Sequence, residues 1–428
     1  MRISTNTIYD LGVGGMQQQT SALIKTQQQL ATGRRILTPQ DDPVGAARVL
    51  EVSQSKSINA QFDVNSNSAT SALGLEENSL ISIGNLIQDA RTIAVNAGNP
   101  TLDHNNLVSL AADLRGRYQE LLGLANTNDG NGQYLFSGYQ GATIPFAESS
   151  PGAVQYKGDE GQRLLQISTS RQIAISDSGS DVFMQIKNGN GTFVTAVGGN
   201  PGAPATTPNL GTGAVSAGTV LDPAVWAVVA DKNLEVVFNV DSTVIPPVTT
   251  YDVTDTSGNS VFTGVPPAIP YPQTYTSGSA ISLRSPPALT DYGVELSIEG
   301  APATGDTFTV KASTNESIFT TLNNLIIALE TTTGTSLTNS LNTALTNLDN
   351  DLNKVLTVRA SVGARMKEID SVKSAGEDTA LQYDQTLSGL QDLDYAKAIS
   401  DLTMQQNGLE AAQKSFLKIQ GLSLFNYI

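Results

Sequence analysis

Apolar residues follow two different periods along this chain, and the change of period divides it. Toward the C-terminus Tyr395, Ala398, Leu402, Gln405, Leu409, Ala412, Phe416 and Ile419 alternate spacings of three and four. That is a heptad seam, which asks for a partner helix rather than a globular core. Tyr383, Leu387 and Leu390 continue it upstream in a shifted register. At the other end Tyr9, Met16, Leu23, Leu30 and Leu37 recur every seven residues, while the companion positions Gly12, Gln19, Thr26 and Gly33 are poor. A seam with one good position in two buries little, so this arm is predicted to be marginal alone. Gly12, Gly14 and Gly15 argue against an unbroken helix there. Four large apolar residues, Leu422, Leu424, Phe425 and Tyr427, mark the end of the sequence and call for something to bury them.

Helical period also governs the neighbouring stretches. Val44 through Ala94 predicts a long helix closed by Gly98-Asn99-Pro100. A second helix runs from about His104 to Asn126, and the pattern returns from Glu316 to Leu329. After an interruption at Thr331–Thr335, it runs from Leu341 through Val362 into the C-terminal arm. Between these blocks the period is two: Leu165/Ile167, Ile173/Ile175, Leu234/Val236/Phe238/Val240, Val294/Leu296/Ile298 and Phe308/Val310 read as strands. Fifteen of the eighteen prolines fall from Pro145 to Pro302, and none follows. Proline breaks helices, so the ends are free to be helical and the middle is not.

The sharpest punctuation lies between the first arm and the second helix. Gly33 suits a left-handed helix end. Asp42 is placed as an N-cap with Pro43 at the first helical position, and Asp41 and Asp42 both favour the positive end of the new helix. The predicted fold class is therefore multidomain α+β, folding back on itself. Terminal coiled-coil arms comprise 1–41 and 381–428, a helical rod comprises 42–139 and 312–380, and an all-β outer domain comprises 140–311.

Composition narrows the function. A net charge of −16 with 15% charged residues disfavours binding to nucleic acid or an anionic membrane, both of which require a Lys/Arg surplus. No cysteine and one histidine are present, so thiolate and multi-histidine metal sites are excluded by arithmetic. His104 follows a turn and reads as a cap or surface residue. Trp226 reads as a core residue of the β domain. Asp349–Asn353 imitates the start of a calcium loop, but it lacks the glycine and distal glutamate and reads as a solvated helix face. No serine elbow accompanies His104. The chain is therefore read as a non-enzyme with no cofactor, metal or catalytic residue. Neither an apolar leader segment nor a run long enough to span a bilayer is visible.

Several motifs agree with one family. Leu409–Phe416, Leu422–Tyr427, Asp41-Asp42-Pro43, Gln133–Gln140 and Arg359–Arg365 resemble the flagellar hook-associated protein 3 (FlgL-type) family of the flagellin-like superfamily. The resemblance covers roughly 1–140 and 312–428. It implies an adaptor at the hook–filament junction whose arms pair inside the tube wall while the β domain faces solvent. The implied assembly interface is Tyr9, Met16, Leu23, Leu30, Leu402, Leu409, Phe416, Ile419, Leu422, Leu424, Phe425 and Tyr427, and the implied helix-start loop is Asp41, Asp42 and Pro43. Implied partners are a ring of like subunits, the FlgK-type hook-side protein, flagellin and an export chaperone at the C-terminal arm. The implied location is the extracellular flagellum, reached without a cleaved signal. Two alternatives stand beside this reading. One is a flagellin, against which Pro43 and the Phe425–Ile428 ending speak; the other is an adhesin-like β domain displayed on a helical stalk.

Overall fold

Long helices form at both ends, where apolar residues recur with a helical period and proline is scarce. The computed structural model describes residues 5–150, 152–199, 208–229, 232–255, 258–261, 272–284 and 291–421. Its helices are α1 (Thr5–Thr32), α2 (Pro43–Ala97), α3 (His104–Ala125), α4 (Pro223–Val228), α5 (Ile318–Thr331), α6 (Gly334–Gln391) and α7 (Tyr395–Gly421). The fold class is α+β as expected: helices toward both ends with a central β region.

Two expectations need correction. Helix α1 passes through Gly12, Gly14 and Gly15 without a break. Each glycine costs a helix about 1 kcal/mol relative to alanine, and α7, packed along α1, offsets that cost. The C-terminal pattern, conversely, is not one helix: α6 stops at Gln391 and α7 starts at Tyr395. Asp394 supplies the restart, its carboxylate accepting the Lys397 N–H at 3.1 Å and its carbonyl the Ala398 N–H at 2.9 Å.

The chain divides into two compact units. One comprises Met1–Asn67, Gln166–Arg171 and Ile369–Ile428; the other comprises Ser68–Leu165 and Gln172–Glu368. Helices α2 and α6 contribute residues to both.

The second unit holds most of the core. Leu73, Leu80, Ile83 and Ile87 of α2, Leu114 of α3 and Leu322 of α5 are buried, on the helical stripes that their spacing predicts. Phe319 lies 5.3 Å from Phe146 and 6.2 Å from Tyr118 between ring centroids. Strands β1 (Phe146–Ser150) and β2 (Ala153–Tyr156) form a hairpin, and β3 (Leu164–Gln166) pairs β4 (Gln172–Ala174). Short strands β5 (Ile186–Lys187) and β15 (Asn315–Glu316) pair at the return to the helices. Between them lie β6 (Phe193–Gly199), β7 (Ala214–Val215), β8 (Thr219–Val220), β9 (Leu234–Asp241), β10 (Val248–Thr254), β11 (Gln273–Thr274), β12 (Ala280–Arg284), β13 (Asp291–Glu299) and β14 (Thr307–Ala312). Their sheets run β11-β10-β9-β14-β6 and β12-β13-β7, with β8 also on β13. The alternating inward residues of these strands make one core, in which Trp226 is 4% exposed and donates its indole N–H to the Thr192 carbonyl at 3.3 Å.

Buried charge in this unit departs from the sequence reading. Asp351, expected on a solvated face, is 2% exposed. Burial raises its carboxyl well above the usual range, with the nearby Glu316 adding to the effect. Glu76 is 1% exposed; one oxygen accepts the Asp177 N–H at 3.1 Å and the other has no partner. Asp177 in turn holds the Arg365 guanidinium and accepts from the Gln162 amide at 2.9 Å. Burial, reinforced by the Asp177 carboxylate and opposed by Arg365, pushes Glu76 up to about 8.

Candidate assembly interface

The first unit has helices but almost no core of its own. Among its described residues the buried apolar side chains are Ile167, Ile369, Leu387 and Ala398. Exposed instead are Leu11 (69%), Ile24, Ile399, Met404 (65%) and Leu417 (66%) on α1 and α7, and Val44, Leu50, Ile58 and Val64 on α2. These apolar side chains stand along helices that have little interior of their own.

Helices α1 and α7 meet along the two seams. Met16, Leu23 and Leu30 of α1, and Leu402, Leu409 and Phe416 of α7, are each half-buried. Tyr9 is 49% exposed, with its ring tilted against Phe416 at 5.3 Å. The side chain of Ile419, and Leu422, Leu424, Phe425 and Tyr427 altogether, lie outside the described residues. Gln405, at a seam position, has a buried side-chain oxygen with no partner. Thr26 is 7% exposed and returns its hydroxyl to the Ala22 carbonyl at 3.1 Å.

The weak companion positions of α1 have a use that sequence reasoning missed. A Cβ built on Gly12 would lie 2.8 Å from Cδ2 of Phe416, and one on Gly33 would lie 2.8 Å from the Tyr395 hydroxyl. A Cβ on Gly408 would collide with the Gln19 amide. The missing side chains leave room for large ones on the opposite helix. The signal was present: glycines at two companion positions of one arm, large aromatic residues in the seam of the other.

At the base of the arms both chains break together. Gly33 takes φ +68°, the left-handed conformation that a glycine adopts without strain. Its carbonyl accepts the Leu393 N–H at 2.9 Å, and the Arg35 N–H donates to the Gln391 carbonyl at 2.7 Å. The Arg35 guanidinium adds a bond to the Leu390 carbonyl at 2.7 Å. Asp41 ties the loop: its carboxylate pairs with Lys25 at 2.6 Å and accepts the Leu37 and Thr38 N–H groups at 3.1 and 3.0 Å. The Lys25 bond, followed by that of Thr38, holds this carboxyl down at about 2. Asp42 accepts the Gly45 N–H at 2.9 Å, and Pro43 is the first residue of α2.

This arrangement presents apolar faces and fixes helix ends; its charges are paired for structure. Among the described residues no cluster of three or more His, Cys, Asp or Glu could hold a metal, and no helix is long and apolar enough to cross a membrane. His104 is exposed in the first turn of α3, next to the capping Asp103.

Comparison with known proteins agrees with this architecture. The profile of the bacterial flagellin N-terminal helical region matches residues 3–141. The chain is 29% identical to the flagellar hook-associated protein 3 of Escherichia coli, over 99% of both chains. Among solved structures it is similar to the flagellar hook-associated protein 3 of Legionella pneumophila, with 31% identity and a TM-score of 0.70, covering 80% of this chain and 98% of that one. It is likewise similar to a structure described as the flagellar junction protein FlgL of that organism, with 30% identity and a TM-score of 0.67, covering 82% of this chain and all of the other.

Proposed function

The chain belongs to the flagellar hook-associated protein 3 family, and from that membership we propose that it is a structural adaptor at the hook–filament junction of the bacterial flagellum. The observation that carries the mechanism is the contrast between units: the second has its own core, whereas the first exposes apolar residues along α1, α2 and α7. Such helices gain stability by burying those faces against neighbours, so ordering and assembly are coupled. The neighbours in this reading are like subunits in a ring, the FlgK-type protein on the hook side and flagellin on the filament side. An export chaperone covers the C-terminal arm beforehand, and the chain works outside the cell. Arms, rod and outer β domain divide near residues 41, 139, 311 and 380. The assembly residues are those of the two seams, the terminal Leu422, Leu424, Phe425 and Tyr427, and the loop at Asp41–Pro43. The chain performs no catalysis in this role.

Deleting the gene tests the reading. Electron microscopy is expected to show hooks without filaments, with flagellin lost to the medium and motility abolished. Normal filaments in the deletion strain would overturn it, and normal filaments with weakened surface attachment would point to the β domain as a displayed binding module.

A further inference from the structure

A heptad seam has a weakness that the two arms share. Met16, Leu23 and Leu30 repeat every seven residues on α1, and Leu402 and Leu409 do so on α7. Sliding one helix by seven residues, about 10 Å along its axis, returns leucine to leucine, so the apolar seam alone cannot select one register. The glycine contacts do not repeat in this way. Gly12 and Gly33 stand 21 residues apart on one strand of the arm, and Phe416 and Tyr395 stand 21 apart on the other, running the opposite way. Both contacts therefore belong to a single antiparallel alignment, three heptads apart. Gln19 against Gly408 falls between them, within one residue of the same alignment.

We propose that Gly12 with Phe416 and Gly33 with Tyr395 form a register key that excludes heptad-slipped pairings of the two arms. A slip of one heptad in one direction sets Phe416 against Gln19. In the other it sets Tyr395 against Thr26, which is already buried. Either costs a steric clash that the intended alignment avoids, a form of selection against the wrong partner geometry. The key determines the height at which Leu11, Ile24, Met404 and Leu417 are presented. That consequence for assembly rests on the adaptor reading above; the key itself concerns pairing within one chain and does not.

The chain has no cysteine, so introduced pairs report register without background. In purified full-length protein, with trimethylamine N-oxide added until circular dichroism shows the arm helices ordered, Gln19→Cys with Gly408→Cys reports the intended alignment. Gln19→Cys with Ser415→Cys, or with Asp401→Cys, reports a slip of one heptad either way. Treated with a short thiol cross-linker, only the first pair is expected to couple within one chain. When Tyr395→Leu and Phe416→Leu are added, the seam stays apolar, and coupling of a slipped pair is expected to rise several-fold at the expense of the first. Slipped pairs that stay silent in that background would show that the backbone bonds at Gly33–Leu393 and Arg35–Gln391 set the register instead, and would overturn the key. Failure of the Gln19→Cys/Gly408→Cys pair in both backgrounds would overturn it as well. Gly12→Ala supplies an independent sign. A glycine that merely weakens α1 predicts that alanine raises the intended coupling, because alanine is the better helix former. The key predicts that it falls and is recovered when Phe416→Leu is added. The filament phenotype of the deletion strain is untouched by any of these outcomes.

Discussion

Replacing Glu76 by glutamine should remove its share of a pH dependence that the second unit carries in its interior, leaving that of the buried Asp351 in place. In the folded chain Glu76 is 1% exposed beside Asp177, whose carboxylate holds the Arg365 guanidinium. Its carboxyl titrates at about 8, against 4.5 for an ordinary glutamate. Between these values the folded state binds a proton that the unfolded state has released, so stability falls as pH rises. It is complete below the unfolded value and lost as pH climbs through the folded one. The slope is about 1.4 kcal/mol per pH unit in mid-window and tapers toward each end, which makes roughly 3–4 kcal/mol between about pH 5 and 8. Glutamine keeps an oxygen to accept the Asp177 N–H, now at 3.1 Å, and removes the titration, leaving Asp177 and Arg365 as a simple pair. Urea unfolding followed by far-ultraviolet circular dichroism at intervals across that window measures the slope for both proteins. The reasoning is refuted if the wild-type stability rises with pH, or if the Glu76→Gln variant keeps the same slope.

Further outcomes follow from other contacts. Gln405→Leu removes a buried oxygen that has no partner and should strengthen the arm pair by about 1 kcal/mol, seen as slower amide exchange in α1 and α7. Asp42→Ala deletes the bond to the Gly45 N–H and should cost about 1 kcal/mol at the start of α2; hydrogen exchange at Gly45 and Ala46 would accelerate while that in α3 would not. Phe319→Ala empties a site walled by Phe146, Phe183 and Tyr118 and should cost the second unit about 3–5 kcal/mol, read as a lowered thermal midpoint with α1–α7 coupling unchanged.

Element type was legible from sequence wherever a period ran uninterrupted. The stripes of α2, α3 and α5, the alternation in β9, β13 and β14, and the crowding of proline between them each reflect local geometry, because side chains repeat with the backbone that carries them. The Asp42–Pro43 helix start was equally local, since a cap bonds to a backbone group three residues away. Whatever depended on residues distant in sequence was decided only by the tertiary structure. Gly12, Gly14 and Gly15 read as helix breakers in sequence, yet α7 packs along α1 and Phe416 takes the space over Gly12, while Gly14 and Gly15 face open space. The break at Asp392–Asp394 lay in a stretch whose apolar pattern ran on, and its backbone bonds reach back to Gly33 and Arg35. Asp351 is polar on a helix and reads as solvated from its own segment, yet its neighbours Thr321 and Glu316 come from another part of the chain. A side chain's period is a property of its own segment, whereas its burial and partners are set by which segment arrives opposite it.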